Sequence, residues 1–137
     1  MLVVDDERSI RLLCRVNLQA SGIEVLEADD GEAGLELARR EQPDLILLDV
    51  MMPGLDGWSV ARQLAADEST KDIPVIFLTA RAEPADRRLG EQLGGVGYVV
   101  KPFDPVSIGD LVEDVLGRIE RGERDQLRRE ITSEPER

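Results

Sequence analysis

Short apolar runs alternate with amphipathic stretches along most of the chain. The apolar runs, each bounded by acidic or turn-forming residues, predict strands over residues 2–4, 23–28, 45–48, 74–78 and 96–100. Between them, apolar side chains recur three and four residues apart, as Ile10, Leu13 and Cys14 do, which predicts helices. These helices cover about 10–18, 32–41, 57–66 and 84–93, and a last one begins near Asp104. The pattern therefore predicts five strands and five helices in alternation.

This alternation indicates an α/β protein, a doubly wound parallel sheet with helices on both faces. The runs at 45–48 and 75–78 are apolar throughout, as expected of strands that are buried on both sides. Ligands of such sheets bind beyond the carboxyl ends of the strands. We therefore expect functional residues at that edge.

Charged and polar residues stand at these strand ends. Asp5 and Asp6 follow the first predicted strand, Asp49 the third, Thr79 the fourth and Lys101 the fifth. A parallel sheet brings the ends together, and carboxylates that converge there repel each other unless a cation lies among them. Oxygen ligands without His or Cys favour a hard ion, and Mg²⁺ is the natural candidate. An aspartate nucleophile with a metal, a lysine and a hydroxyl suits phosphoryl transfer that forms an aspartyl phosphate.

Four segments of the chain closely resemble the receiver domains of two-component response regulators. They are Val3-Val4-Asp5-Asp6-Glu7, Asp44-Leu45-Ile46-Leu47-Leu48-Asp49-Val50-Met51-Met52-Pro53-Gly54-Leu55-Asp56-Gly57, Leu78-Thr79-Ala80 and Tyr98-Val99-Val100-Lys101-Pro102-Phe103. The match extends from about residue 2 to residue 118. The resemblance implies a flavodoxin-like fold, in which five parallel strands have the order 2-1-3-4-5 and are joined by five helices.

The same resemblance implies how the acidic residues act. Asp49 would be the phosphoacceptor, and a histidine kinase, a phosphotransfer protein or a small phosphodonor would supply the phosphoryl group. Asp6, Asp49 and the backbone carbonyl of Met51 would bind Mg²⁺, which Mn²⁺ can replace, and Asp5 would help directly or through water. The domain would catalyse only its own phosphorylation and dephosphorylation and would not be an enzyme for another substrate.

The resemblance also implies a switch. Thr79 and Lys101 would hold the phosphoryl group, and Tyr98 would swing inward when Thr79 moves. The surface of the fourth helix, fifth strand and fifth helix would change as a result and would bind an output protein or a second copy. The peptide bond between Lys101 and Pro102 is expected to be cis on family likeness alone.

Two features near this output surface depart from the simplest picture. Gly95 and Gly97 precede the switch tyrosine where the family commonly has Ala-Asp-Asp, and two extra glycines are expected to loosen this loop. Arg87 and Arg88 lie in the fourth predicted helix, and we interpret them as part of a solvated face.

Charge and composition exclude some classes of binding partner and of chemistry. The formal net charge is −12, which argues against direct contact with nucleic acid or with an anionic membrane. The chain has no His, so imidazole catalysis and His metal ligation are excluded. Its one cysteine, Cys14, lies in an apolar stripe and cannot form an internal disulfide, which favours a small core residue in a reducing, cytoplasmic setting.

The last part of the chain differs in composition from the rest. Residues 1–118 are interpreted as the receiver domain and 119–137 as a charged tail, helical or disordered, that serves as a linker stub. Leu127 and Ile131 continue the apolar stripe of the fifth helix only sparsely, and Gly122 disfavours a continuous helix. We expect the fifth helix to pack to about residue 119, followed by a frayed or partner-dependent extension.

Other interpretations of these residues stay open. Any one of the strand-end residues is, taken alone, more often a cap or turn residue than a functional one. A phosphatase of the haloacid dehalogenase type also uses an aspartate and Mg²⁺, but it needs a second aspartate where Met51 stands. A P-loop nucleotide binder lacks its motif here. An interaction module that no longer depends on phosphate is the strongest alternative.

Overall fold

The computed structural model describes residues 1–133 and forms a five-stranded parallel sheet with helices on both faces. The strands are β1 (Leu2–Val4), β2 (Leu26–Ala28), β3 (Ile46–Asp49), β4 (Val75–Thr79) and β5 (Gly97–Val100). The helices are α1 (Arg8–Ala20), α2 (Gly31–Glu41), α3 (Gly57–Ala66), α4 (Pro84–Gln92), α5 (Ile108–Glu120) and α6 (Arg124–Ser133). The strand order β2-β1-β3-β4-β5 confirms the predicted topology, and the described residues contain one α-helix more than predicted.

The core forms two layers because successive side chains of a strand point to opposite faces of the sheet. Val4 and Phe77 belong to the layer that α2 and α3 cover. Val3 and Ile76 belong to the layer that α1 and α5 cover, and Cys14 is buried there as expected. Both faces of the central strands are therefore buried from solvent, which explains why their sequences are apolar throughout.

The start of α3 is placed by a side chain and by a glycine. Asp56 caps the helix, because its carboxylate accepts a hydrogen bond from the Ser59 amide at 2.9 Å. Gly57 allows the helix to begin against the sheet, since a Cβ atom there would lie 2.2 Å from the carbonyl oxygen of Asp49. The end of β3 and the start of α3 are consequently held in close contact.

One local expectation differs from the structure, and one residue has a role that was not expected. The second strand is shorter than predicted, because the amide of Ile23 donates to the Leu18 carbonyl and so still belongs to the turn that closes α1. Gly95 has a packing role that the sequence interpretation did not assign to it. A Cβ atom at this position would lie 2.7 Å from a ring carbon of Phe77, so glycine is required for close packing. The peptide bond preceding Pro102 is cis, as expected.

The segment after α5 is a packed helix, where a frayed extension was expected. Gly122 adopts φ +80°, a conformation that suits glycine, and turns the chain so that α6 folds back onto the domain. Leu127 and Ile131 are 5% and 3% exposed. Residues 134–137 of the predicted tail lie outside the described residues. Within residues 1–133, every helix is too short or too polar to cross a membrane.

Candidate functional site

The carboxyl ends of the strands place the predicted residues side by side. Asp49 is the last residue of β3 and pairs with Leu78, while Thr79 ends β4 and pairs with Val100. The amide of Lys101 donates to the Thr79 carbonyl at 2.8 Å, which fixes the chain just beyond β5. Similarly, the amide of Asp5 donates to the Ala28 carbonyl just beyond β1 and β2. The ladder of backbone hydrogen bonds therefore delivers the side chains to a single edge.

A lysine lies between two buried carboxylates at this edge. The Nζ atom of Lys101 is 2.9 Å from Oδ2 of Asp5 and 3.6 Å from Oδ2 of Asp49. Asp5 and Asp49 are 0% and 2% exposed. Glu7, which the sequence interpretation did not single out, lies 3.7 Å from the same ammonium group at the rim of the site. The single ammonium group of Lys101 thus lies close to three carboxylates.

The acidic residues fit a small, hard cation. Carboxylate oxygens of Asp5, Asp6 and Asp49 lie within 4.8 Å of one another, and Asp6 is exposed to solvent. The Oδ2 atom of Asp5 is buried and, despite the nearby ammonium group, accepts no hydrogen bond of ordinary geometry from the described residues. A buried carboxylate oxygen that is paired with an ammonium group but not fully hydrogen-bonded keeps a lone pair that can ligate a metal ion. The Met51 amide donates to Oδ1 of Asp49 at 3.2 Å, and the role of its carbonyl as a ligand stays a prediction.

Burial and charge change the acid–base properties of the site. Burial of Asp49 and, next, the nearby charge of Asp5 raise the pKa of the Asp49 carboxyl to about 7, against the opposing effect of Lys101. Burial opposes the charged form of Lys101, but the close approach of Asp5 and Asp49 outweighs it and raises the lysine pKa. Without a metal, the site therefore carries more negative charge than the protein compensates.

Thr79 and Tyr98 are connected through one residue that the sequence interpretation did not assign to the switch. The Arg81 amide donates to the buried Thr79 hydroxyl oxygen at 3.0 Å, and the Tyr98 hydroxyl donates to the Arg81 carbonyl at 2.7 Å. The tyrosine ring lies 6.4 Å from the ring of Phe77, and partial burial raises the Tyr98 pKa to about 12. A movement at Thr79 can therefore reach Tyr98 through the backbone of Arg81.

Arg87 is not part of a solvated face, contrary to expectation. It is 9% exposed, its guanidinium carbon lies 5.0 Å from the centroid of the Tyr98 ring, and it donates to the Ile131 carbonyl at 3.3 Å. Its neighbour Arg88 is exposed, as expected. The helical position of Arg87, three residues before Gly90, which also contacts the tyrosine, is the signal that could have indicated its burial.

Comparisons with known sequences agree with this geometry. A model of the response regulator receiver domain matches residues 1–113. The alkaline phosphatase synthesis transcriptional regulatory protein PhoP of Bacillus subtilis is 46% identical over 120 residues, which are 88% of this chain and 49% of that protein. The DNA-binding dual master transcriptional regulator RpaA of Synechocystis is 42% identical over 119 residues, 87% of this chain and 46% of that protein. The chain thus spans about half the length of the curated relatives it matches.

Solved structures share the fold. The chemotaxis protein CheY4 of Vibrio cholerae superposes with a TM-score of 0.78 at 33% sequence identity, over 83% of this chain and 95% of that one. The receiver domain of the Francisella response regulator 1452 superposes with a TM-score of 0.79 at 30% identity, over 86% of this chain and 96% of that one.

Proposed function

The chain belongs to the response regulator receiver domain family, and from this premise we propose that it accepts a phosphoryl group on Asp49. The donor is a histidine kinase, a phosphotransfer protein or a small phosphodonor. The proposal rests on one observation, the buried Asp49 carboxylate at the end of β3 with the Lys101 ammonium 3.6 Å away and the Asp5 carboxylate on its other side. The activity is confined to the domain's own phosphoryl group.

The residues of the site divide the chemistry between them. A carboxylate oxygen of Asp49 attacks phosphorus, so that an acyl phosphate bond forms while the bond from phosphorus to the donor breaks and its electron pair leaves with the donor. Lys101 is placed to neutralise a phosphoryl oxygen, and the Thr79 hydroxyl to donate a hydrogen bond to it. Asp5, Asp6, Asp49 and the Met51 carbonyl would hold Mg²⁺ or Mn²⁺, which when bound offsets the charge of both the carboxylates and the phosphate.

The signal leaves the site through the switch residues. Thr79 moves toward the phosphoryl group, the contacts at Arg81 change and Tyr98 repacks, which remodels the surface of α4, β5 and α5. An output protein or a second copy reads this surface. The acidic charge of the domain leaves direct contact with nucleic acid or membrane to attached or partner domains, in a cytoplasmic setting.

Phosphorylation by acetyl phosphate, followed by intact mass, tests the proposal. Wild type should gain one phosphoryl group when Mg²⁺ or Mn²⁺ is present and none when EDTA replaces the metal. Asp49→Asn should stay unmodified. Asp44→Asn, an exposed acidic residue before the same strand, should be modified like wild type. Stoichiometric labelling of Asp49→Asn, or labelling that needs no metal, would show that the assignment of the phosphoacceptor site is wrong.

A further inference from the structure

The surface formed by α4, β5 and α5 is covered by a helix of the same chain. α6 contacts all of these elements, and its buried residues Leu127 and Ile131 are four residues apart, so both point from one face of the helix. Leu127 joins the core layer that includes Val96 and Val115, beside the open edge of the sheet. A helix over an edge strand also prevents that strand from pairing with another chain.

Polar contacts at both ends of α6 fix its position. Near its start, Arg124 donates to the Asp72 carbonyl at 2.8 Å. Near its end, the Thr132 hydroxyl donates to Glu91 of α4, also at 2.8 Å. The fit between these ends is incomplete, since a cleft of about 120 Å³ remains between α6, β5 and α5. The polar contacts at its two ends therefore hold α6 against the domain, while part of its inner face is not closely packed.

Arg87 connects α6 to the tyrosine of the switch. Its guanidinium group lies over the Tyr98 ring and donates to the Ile131 carbonyl of α6, but its Nε atom has no hydrogen-bond partner among residues 1–133. A buried cation with an unsatisfied donor depends strongly on the contacts that it does make. The hydrogen bond from Arg87 to the Ile131 carbonyl of α6 therefore depends on the position of the Tyr98 ring.

We infer that the α4–β5–α5 surface is a groove for an amphipathic helix, that α6 occupies it within the chain, and that a partner must displace α6 to bind there. The occupant that the groove recognises is a short helix with two apolar residues four apart and a carboxyl-terminal carbonyl for Arg87. Coupling of this displacement to the phosphoryl group is a further step that rests on the proposed function, because it requires Tyr98 to move when Asp49 is modified.

Binding of an α6 peptide in trans tests whether the groove exists. Leu127→Asp in the full chain should detach α6, because a carboxylate cannot occupy this dry position. A fluorescein-labelled peptide of residues 122–133 should then bind this variant at least ten-fold more tightly than it binds wild type, as measured by fluorescence anisotropy. Gln126→Asp is the matched control, since it places the same group with the same charge change on the exposed side of α6.

The contrary results are equally specific. Equal affinity of the peptide for Leu127→Asp and for Gln126→Asp, or no binding to either, would overturn the inference. A peptide that itself carries Leu127→Asp should not bind. If Leu127→Asp fails to fold, Arg87→Ala replaces it, with Arg88→Ala as its control. Hydrogen exchange of residues 124–132 should then rise in Arg87→Ala alone, and unchanged exchange would count against the inference.

Beryllofluoride, a phosphoryl mimic, separates this inference from the proposed function. Its binding to the Leu127→Asp variant with Mg²⁺ is followed by ¹⁹F NMR, independently of the peptide. A bound signal together with a peptide affinity lowered several-fold supports the coupling. A bound signal with unchanged peptide affinity refutes the coupling alone. Absence of a bound signal counts against the phosphoacceptor site, whereas the groove is still judged by the peptide binding measured without beryllofluoride.

Discussion

The carboxyl edge of the sheet and the surface beneath α6 both contain a buried charged group whose hydrogen bonding is incomplete. At the edge it is Asp5, whose buried Oδ2 atom has the Lys101 ammonium 2.9 Å away but no hydrogen bond of ordinary geometry, and under α6 it is Arg87, whose Nε atom lacks an acceptor among residues 1–133. These are the buried side-chain atoms of this kind within residues 1–133. Their surroundings differ. Asp5 lies among further carboxylates and one lysine, whereas Arg87 lies between an aromatic ring and the end of a helix.

The difference shows what each region lacks. Negative charge is in excess at the edge, so a ligand that brings positive charge, such as a divalent ion, stabilises this region. The surface under α6 is already covered by a helix of the same chain, so a ligand that binds there has to compete with α6. The carboxyl edge of the sheet is thus suited to bind a cation, whereas the other surface becomes available to a ligand only when α6 leaves it. The following predictions test this contrast, from the largest expected effect to the smallest.

The largest expected effect is the loss of stability when the Lys101 ammonium group is removed from the edge. Lys101→Met leaves Asp5 and Asp49 buried without their counter-ion, and we expect the free energy of unfolding at pH 8 without metal to fall by about 3 kcal/mol. Urea denaturation measures this loss, and added Mg²⁺ should reduce it. Lys71→Met, which removes an exposed lysine paired with Glu68, should change stability little. A similar loss in both variants would contradict the assigned role of Lys101.

Removal of a carboxylate from the edge should have the opposite effect and stabilise the protein. The folded-state pKa of Asp49 is raised, to about 7, above its unfolded value, so the ionised carboxylate destabilises the metal-free protein at higher pH. Asp49→Asn should therefore raise the free energy of unfolding by about 2 kcal/mol at pH 8. The gain should shrink as the pH falls below 7, because the wild-type carboxyl then becomes protonated. Asp44→Asn should show no such gain, and a pH-independent gain in Asp49→Asn would exclude this explanation.

The edge was predictable from sequence because its residues are tied to strand ends. The positions of Asp49, Thr79 and Lys101 follow once the parallel order is known, since register and backbone hydrogen bonds leave little freedom. The two contacts of Arg81, with Thr79 and with Tyr98, were missed because both use its backbone, whereas its half-exposed side chain lies near Asp86. Backbone contacts of loops leave no trace in the pattern of side chains.

The surface under α6 was predictable only in part. The apolar spacing of Leu127 and Ile131 is visible, but two apolar residues among many charges do not specify whether a helix packs or frays. The helical position of Arg87 could indicate its contact with Tyr98, but its contact with the Ile131 carbonyl depends on the return of the chain at Gly122, a tertiary event. Gly95 shows the same limit, because it indicates flexibility in isolation and close packing beside Phe77.

The resemblance to receiver domains implies that the side chains two residues after Asp49 and two after Thr79 flank the approach of the attacking water, so they should set how long the phosphoryl group survives. Met51 is 52% exposed and cannot orient an attacking water, and Arg81 is a permanent cation that cannot act as a general base. Met51→Asn combined with Arg81→Glu should shorten the lifetime of the acyl phosphate by ~10-fold, equivalent to a barrier lowered by ~1.4 kcal/mol. Decay of the phosphorylated mass measures it. Arg62→Glu, an exposed arginine of α3, is the control, and equal lifetimes would refute this account.

The smallest expected effect distinguishes the two regions by the direction of their response to acid. The guanidinium of Arg118 donates to Glu130 of α6 and keeps the pKa of that carboxyl below its usual range. A depressed carboxyl pKa contributes stability that is lost as the pH falls through it, so acid should loosen α6 while it relieves the repulsion around Asp49. The contribution is under about 1 kcal/mol because both side chains are near the surface.

Hydrogen-exchange protection factors measured between about pH 6 and pH 3.5 without metal, corrected for the intrinsic rate, should therefore fall in α6 and not at the end of β3. Arg118→Gln should weaken the response of α6, because the contact that contributes most to lowering the pKa of Glu130 is then lost. Arg121→Gln serves as the control, because Arg121 and Arg118 both contact Glu123 and both lower its pKa, so the two variants share the loss at Glu123 and their difference reports on Glu130. Parallel loss of protection in both regions would mean that acid destabilises the domain as a whole and that the two regions do not differ as described.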